Sequence, residues 1–229
     1  MAAELPPPPG SPERPPRVKM PGEQARVLRT IDGLALEARA RLPRTATRAV
    51  VLCHPHPLYG GTMDNAVIVS VARLLRERGQ DAVGTLRFNF RGVPQSEGQH
   101  DEGRGEVLDV AAAIDAVRRD LPEASVMLAG YSFGSSMVLR AAVEDRSIER
   151  LVLIAPATSL FEHAVTRPQG PSAIGVIVGD SDPLVSVDEA QALAARLNAS
   201  FRVIAGANHL FVGQRRAVAE AAVGMLLGD

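Results

Sequence analysis

Three residue types that cooperate in acyl transfer follow one another along this 229-residue chain: a serine between two glycines, an aspartate, and a histidine. Ser132 stands in "LAGYSFGSS", with Gly130 and Gly134 each two positions away. A serine hydroxyl is a weak nucleophile and needs a base beside it, and the base needs a carboxylate to orient it. The histidines are His54, His56, His100, His163 and His209. His209, in "GANHLF", fits the base because it comes after the last strand-like run, "SFRVIAG", and before the final helical segment. The carboxylate should follow the preceding strand, where "VIVGDSDPLV" supplies Asp180 and Asp182. Asp180 directly follows the glycine at the strand end, where it could simply turn the chain. Asp182 sits inside the loop and is the preferred partner, with Asp180 as the alternative.

These side chains converge only if the elements around them hold the right places. "SVMLAGYS" reads as a strand and "GSSMVLRAAVE" as a helix, so Ser132 falls on the tight turn between them. Such a turn forces the serine into a strained conformation that lifts its Oγ clear of the sheet. Side chains at the two flanking positions would collide with the neighbouring strand and helix, and glycine removes them. The turn also aims the first N–H groups of the helix at a developing oxyanion. The N–H of Phe133 is the first donor. A second should come from the loop after the first buried strand, "CHPHPLYGGTMDN", where Pro55 and Pro57 cannot donate and His56 or Leu58 can. His54-x-His56 could instead be a metal pair, but two ligands with no carboxylate or cysteine nearby in sequence make a poor site. His54 is expected to hydrogen-bond within its loop, and no metal or cofactor is expected.

The rest of the chain supplies the frame. "ARVLRTIDGLALEARARLP" alternates polar and apolar residues around Asp32-Gly33, a hairpin signal. "AVVLCHP" is a short, almost wholly apolar run, as a strand buried on both faces requires. Helices are expected near 65–78 and 105–119, with Val67, Val71, Leu74 and Leu75 on one face of the first. Val107, Val110, Ile114 and Val117 recur at helical spacing in the second. Strands "DAVGTLRFNF", "RLVLIAP" and "AIGVIVGD", with helices near 187–197 and 212–227, complete an α/β pattern. An antiparallel pair thus precedes six buried strands, giving a mostly parallel sheet of about eight strands with helices on both faces. Ligands then gather at the C-terminal ends of the strands.

Composition narrows the setting. The net charge is −1, so no basic excess points to nucleic acid or to an anionic membrane surface. No apolar run approaches the roughly 18 residues of a membrane helix, and no secretory signal is visible. A single cysteine, Cys53, forms no internal disulfide and fits a reducing cytoplasm. Trp is absent. The first 22 residues hold eight of the 17 prolines and read as a disordered or extended tail before one domain spanning residues 23–229.

Taken in order, "CHPHPLYGGTMDN", "LRFNFRGVPQSEG", "LAGYSFG", "VGDSDPLV" and "GANHLF" resemble the α/β-hydrolase superfamily, and within it the small bacterial serine hydrolases similar to dienelactone hydrolase and compact carboxylesterases. The resemblance implies the α/β-hydrolase fold. It implies Ser132 as nucleophile, Asp182 as acid and His209 as base, and hydrolysis of a carboxylic ester through an acyl-enzyme. Dienelactone hydrolase itself uses a cysteine nucleophile, so lactone specificity does not carry over. Pro94 stands where related sequences usually have glycine. The segment "ATSLFEHAVTRPQGPS" is too short for a helical cap domain, so an open site for small soluble acyl groups is expected, walled by Leu58, Tyr59, Leu160 and Phe161. The same triad could serve thioesters or peptides. A catalytically silent module acting through the proline-rich tail is the alternative from another class.

Overall fold

The computed structural model describes residues 17–158 and 166–228. Two strands, β1 (Gln24–Arg29) and β2 (Ala35–Arg41), form an antiparallel hairpin. Its turn closes at Asp32-Gly33, where the Leu34 N–H donates to Thr30 Oγ1 at 2.9 Å and the Gly33 N–H to the Thr30 carbonyl at 3.0 Å. The remaining strands are β3 (Arg48–Cys53), β4 (Val83–Phe88), β5 (Ser125–Tyr131), β6 (Ile148–Ile154), β7 (Ala173–Gly179) and β8 (Ser200–Ile204). They build one eight-stranded sheet in the order β1-β2-β4-β3-β5-β6-β7-β8, and every pair from β4 to β8 is parallel.

Five helices cover the two faces: α1 (Ala66–Gly79), α2 (Glu106–Asp120), α3 (Phe133–Glu144), α4 (Val187–Arg196) and α5 (Arg215–Leu227). The alternation of the central strands explains their apolar composition. Ala49, Val51 and Cys53 of β3 face the core shared with α2, α3 and α4. Val50 and Leu52 face the opposite core, under α1 and α5. Both faces of the strand are buried, so both must be apolar. The expected helix faces are present: Val67, Val71, Leu74 and Leu75 are buried on α1, and Val110, Ile114 and Val117 on α2, with Val107 only partly buried against the same core.

Four features depart from the pattern. β8 was expected to be buried but is the sheet edge, and only Ile204 in it is buried. The last helix starts at Arg215, not near 212, because Phe211 (φ +50°) and Gly213 (φ +77°) adopt left-handed backbone that no helix accepts. The last residues of the proline-rich segment are not a loose tail. Met20 is buried against the α1–α5 core, and the Val18 carbonyl accepts from Arg87. Residues 1–16 of that segment lie outside the described residues. Arg87 itself is a fully buried guanidinium inside β4, held by Glu23 at 2.8 Å and by Asp64. Burial alone would disfavour its charge, and the hydrogen bonds and charges of Glu23 and Asp64 outweigh that and raise its pKa.

Pro94 finds a natural place. The Ser96 N–H donates to the Val93 carbonyl at 2.9 Å, closing a turn with Pro94 at its second position and Gln95 at its third, with φ +78°. Proline suits the second position of a type II turn, and the third favours glycine. The strain therefore falls on Gln95. Gln95→Gly is expected to raise stability by up to about 1 kcal/mol, partly offset by a more flexible unfolded chain. A higher urea midpoint for the variant checks this, and an unchanged or lower midpoint contradicts it.

Candidate active site

β3, β5, β7 and β8 all end on the same edge of the sheet, and the loops that follow them meet there. At the end of β5 the chain turns within one residue into α3. Ser132, the residue between them, has φ +53° and ψ −116°. Two close approaches force this geometry. A Cβ on Gly130 would stand 2.2 Å from the Gly134 carbonyl oxygen. A Cβ on Gly134 would stand 2.4 Å from the Cys53 carbonyl oxygen at the end of β3. The elbow is pinned from the other side by β6. The Ser132 N–H donates to the Ile154 carbonyl at 2.8 Å, and Ser135 Oγ lies 2.7 Å from the Gly130 carbonyl and 3.0 Å from that of Ile154.

Ser132 Oγ lies 3.1 Å from His209 Nε2, and His209 Nδ1 lies 2.7 Å from Asp182 Oδ2. A carboxylate can only accept, so Nδ1 carries the hydrogen, and in the neutral ring Nε2 is left to accept from the serine hydroxyl. Asp182 is held as firmly as it holds. Its Oδ1 accepts from the N–H groups of Leu184 at 2.8 Å and Val185 at 3.0 Å, and its carboxylate is buried. Asp180 does something else. Its Oδ1 accepts from the Gly206 N–H at 2.8 Å and ties the end of β7 to the turn after β8.

The loop after β3 is built around two histidines with different duties. His54 is fully buried. The Phe90 N–H donates to its Nε2 at 3.0 Å, so Nδ1 carries the hydrogen and donates to the Pro55 carbonyl at 2.6 Å. Nδ1 thus bonds within the loop after β3, the structural part expected of this residue, and Nε2 joins that loop to the one after β4. His56 sits on the surface side. Its Nδ1 accepts from the Leu58 N–H at 3.2 Å, and its ring lies 5.0 Å from that of Phe133 and 4.7 Å from that of His100. Burial, and secondarily the His100 charge, lowers its pKa to about 4, so it is neutral at pH 7. The Leu58 N–H is thereby engaged, while the His56 N–H has no partner among the described residues. Leu58 and Tyr59 are half-exposed on a short 3-10 turn (Pro57–Tyr59). Leu160 and Phe161, the other expected walls, lie outside the described residues.

Tyr131, the residue before the serine, carried no signal in the sequence beyond its place in the pentad. Its buried hydroxyl donates to the His209 carbonyl at 2.6 Å, so the elbow directly grips the histidine loop. Burial, then the negative charge of Asp182, pushes its pKa up and keeps it a donor.

The family to which these loops belong follows from comparison. Residues 49–174 match the model of the alpha/beta hydrolase fold family. This chain belongs to the α/β-hydrolase fold family, and hydrolysis is the class of reaction that membership supports. It is 34% identical over 184 residues to an uncharacterized protein of Rickettsia prowazekii (strain Madrid E), covering 76% of this chain and 75% of that one. Among solved structures it is similar to an alpha-beta serine hydrolase homologue from Coxiella burnetii. That pair shares 31% identity with a TM-score of 0.77, over 91% of this chain and 98% of the other. It is also similar to an α/β serine hydrolase without a lid from Xanthomonas campestris. Here the identity is 28% and the TM-score 0.79, over 93% of this chain and 97% of the other. No helix among the described residues is long and apolar enough to cross a membrane.

Two measurements test the framework of the site. Tyr131→Phe leaves the His209 carbonyl without its buried donor and is expected to cost about 1–3 kcal/mol of stability, read from urea unfolding. A loss below a few tenths would mean that the contact is idle. For His54, burial lowers the pKa from 6.5 to about 3 in the folded chain. Between these two values the unfolded chain binds a proton that the folded chain refuses. Stability therefore falls as pH drops through that window, by about 1.4 kcal/mol per pH unit for one proton. His54→Gln should flatten the slope of unfolding free energy against pH between 6 and 4, and an unaltered slope contradicts the assignment.

Proposed function

We propose that the chain is a serine hydrolase that cleaves carboxylic esters through an acyl-serine intermediate, with Ser132 as nucleophile, His209 as base and Asp182 as the orienting acid. The observation that carries this reading is the unbroken hydrogen-bond chain from Ser132 Oγ through both His209 nitrogens to Asp182, mounted on a left-handed serine. A non-glycine residue at such a φ costs on the order of 1–3 kcal/mol, a strain typical of functional sites.

In the proposed reaction Ser132 Oγ attacks the ester carbonyl carbon while its proton passes to His209 Nε2. Negative charge collects on the former carbonyl oxygen. The Phe133 N–H, in the first turn of α3, is the first donor to that oxygen. The His56 N–H is the better second donor, since that of Leu58 is engaged by the His56 ring and Pro57 has none. The C–O bond to the alcohol then breaks, and the leaving alkoxide takes the proton from Nε2. Water repeats the sequence against the acyl-serine and releases the acid. Asp182 holds Nδ1–H throughout, so that Nε2 keeps its aim.

The substrate class proposed is small soluble esters. Eighteen residues separate β6 from β7, too few for a cap domain, and the similar Xanthomonas protein is described as lacking a lid. Leu58 and Tyr59 are proposed walls of the site, and so are Leu160 and Phe161 on sequence grounds alone.

Labelling with a fluorophosphonate probe followed by mass spectrometry should place the adduct on Ser132. A well-folded protein without that adduct would refute the nucleophile and favour a non-catalytic module. His209→Ala is expected to lower kcat on short p-nitrophenyl esters by roughly 10⁴- to 10⁶-fold. Asp182→Asn should lose on the order of 10⁴-fold, and Asp180→Asn far less, because its carboxylate serves Gly206. Faster cleavage of long-chain than of short-chain acyl esters would contradict the small-acyl reading.

A further inference from the structure

Nine large apolar side chains are exposed among the described residues, and four of them, Val27, Ile31, Val143 and Val203, are scattered over β1, the hairpin turn, α3 and β8. The other five gather on loops: Leu58 and Tyr59 follow β3, Leu184 follows β7, and Leu210 and Val212 follow β8. These five stand on the three loops that surround Ser132. Scattered exposed leucines need no explanation, but a group around a polar centre does. Leu184, Leu210 and Val212 are 56%, 61% and 58% exposed. Local hydrogen bonding presents them. Asn208 Oδ1 accepts from the N–H groups of Leu210 at 3.1 Å and Val212 at 3.3 Å. Phe211 between them takes φ +50° and is fully buried, its ring packed edge-on to Tyr131. The turn therefore drives the aromatic ring inward and leaves its two neighbours outside, with backbone strain as the cost. Across the site, Asp182 Oδ1 fixes the N–H of Leu184 while Oδ2 of the same carboxylate holds His209. Leu184 and Leu210 thus stand on the two loops that carry Asp182 and His209.

The chemistry decides which half of a substrate meets them. The proton leaves His209 Nε2 for the alkoxide, so the alcohol oxygen must lie within hydrogen-bond reach of that nitrogen. The carbonyl oxygen must lie on the opposite side, toward the N–H groups of Phe133 and the loop after β3. The alcohol half of the ester accordingly extends over the histidine loop, and the acyl half away from it.

We propose that Leu184, Leu210 and Val212 form an apolar shelf for the alcohol moiety, so that the protein selects esters of apolar alcohols, alkyl or aryl, over esters of methanol or ethanol. The proposal rests on the ester-hydrolase reading above and adds the leaving-group specificity to it. Selection on the alcohol side is compatible with a small acyl group, because the two halves contact different loops.

The test separates the halves. One series holds acetate and varies the alcohol from ethyl through butyl to hexyl, where leaving-group basicity hardly changes. The other holds ethanol and varies the acyl group from acetyl to hexanoyl. In the wild-type protein kcat/KM should rise roughly tenfold from ethyl to hexyl acetate, as expected if about half of the added methylenes leave water. In Leu184→Ser/Leu210→Ser/Val212→Ser that ratio should fall to about twofold or less, with Leu210→Ser between the two, while the ratio along the acyl series keeps its wild-type value. A wild-type alcohol series that is flat overturns the shelf. So does a triple variant that alters both ratios alike, or a wild-type dimer that the triple variant dissociates, since the patch would then be a contact between copies. Fluorophosphonate labelling of the same wild-type preparation keeps the two readings apart. Labelled Ser132 with a flat alcohol series refutes the shelf alone, and unlabelled Ser132 refutes the ester-hydrolase reading on which it rests.

Discussion

The geometry of the site depends on how closely three backbone segments approach one another. The end of β3, the end of β5 and the first turn of α3 lie so near that a single methyl group at position 130 or 134 would overlap a carbonyl oxygen. No rearrangement of side chains relieves a clash with backbone. That contact turns a strand into a helix within one residue and leaves Ser132 in a conformation that residues with a Cβ avoid. The strain persists because the surroundings over-determine it. The Ile154 carbonyl of β6 receives the Ser132 N–H and lies close to Ser135 Oγ, which fixes the elbow against the neighbouring strand. The loops that face the serine are then attached to this rigid point, one of them through Tyr131.

Buried polar groups carry out that attachment. His54 links the loop after β3 to the loop after β4. Asn89 accepts from the Met63 N–H at 2.8 Å and donates to Glu37 at 2.9 Å, so the hairpin steadies the approach to α1. Arg91 grips Asp109 of α2 and Asp32 of the hairpin turn, and its charged form is favoured by both carboxylates despite burial. A buried charge pair is weak evidence for stability, since desolvation can cancel its attraction, but leaving one partner alone in the interior is costly. What these groups contribute is fixed relative position. Loops that would otherwise wander are kept in register with the serine.

Much of this was legible in the sequence, and the reasons differ by element. The central strands declared themselves because burial on both faces demands unbroken apolar runs such as "AVVLC". The Asp32-Gly33 hairpin and the faces of α1 and α2 followed from local periodicity. Asp182 was preferred to Asp180 from its place inside the loop, and in the structure only the former reaches His209. Other features had no local signature. β8 carries the same composition whether it is central or at an edge, so its exposure depends on strand order alone. Arg87 looks like any strand arginine until Glu23 and Asp64 are brought to it from 64 and 23 residues away. The involvement of Leu58 in a bond to the His56 ring, which separates the two donor candidates, depends on a side-chain rotamer that no pattern encodes. Residues 18–22 were hidden by the proline content around them, although Met20 is buried and the Val18 carbonyl accepts from Arg87.

Cys53 ends β3 directly beneath the elbow, where it is fully buried and burial raises the pKa of its thiol well above the usual range. Thiol-directed reagents react with the thiolate at accessible positions, so they have little purchase on it. The native chain is therefore close to silent toward maleimides without any cysteine having to be removed. A cysteine placed on an exposed loop becomes a unique chemical handle. A fluorophore or spin label can then be set beside Ser132 in an otherwise unaltered background, and the movement of one loop at a time can be followed as ligands are added.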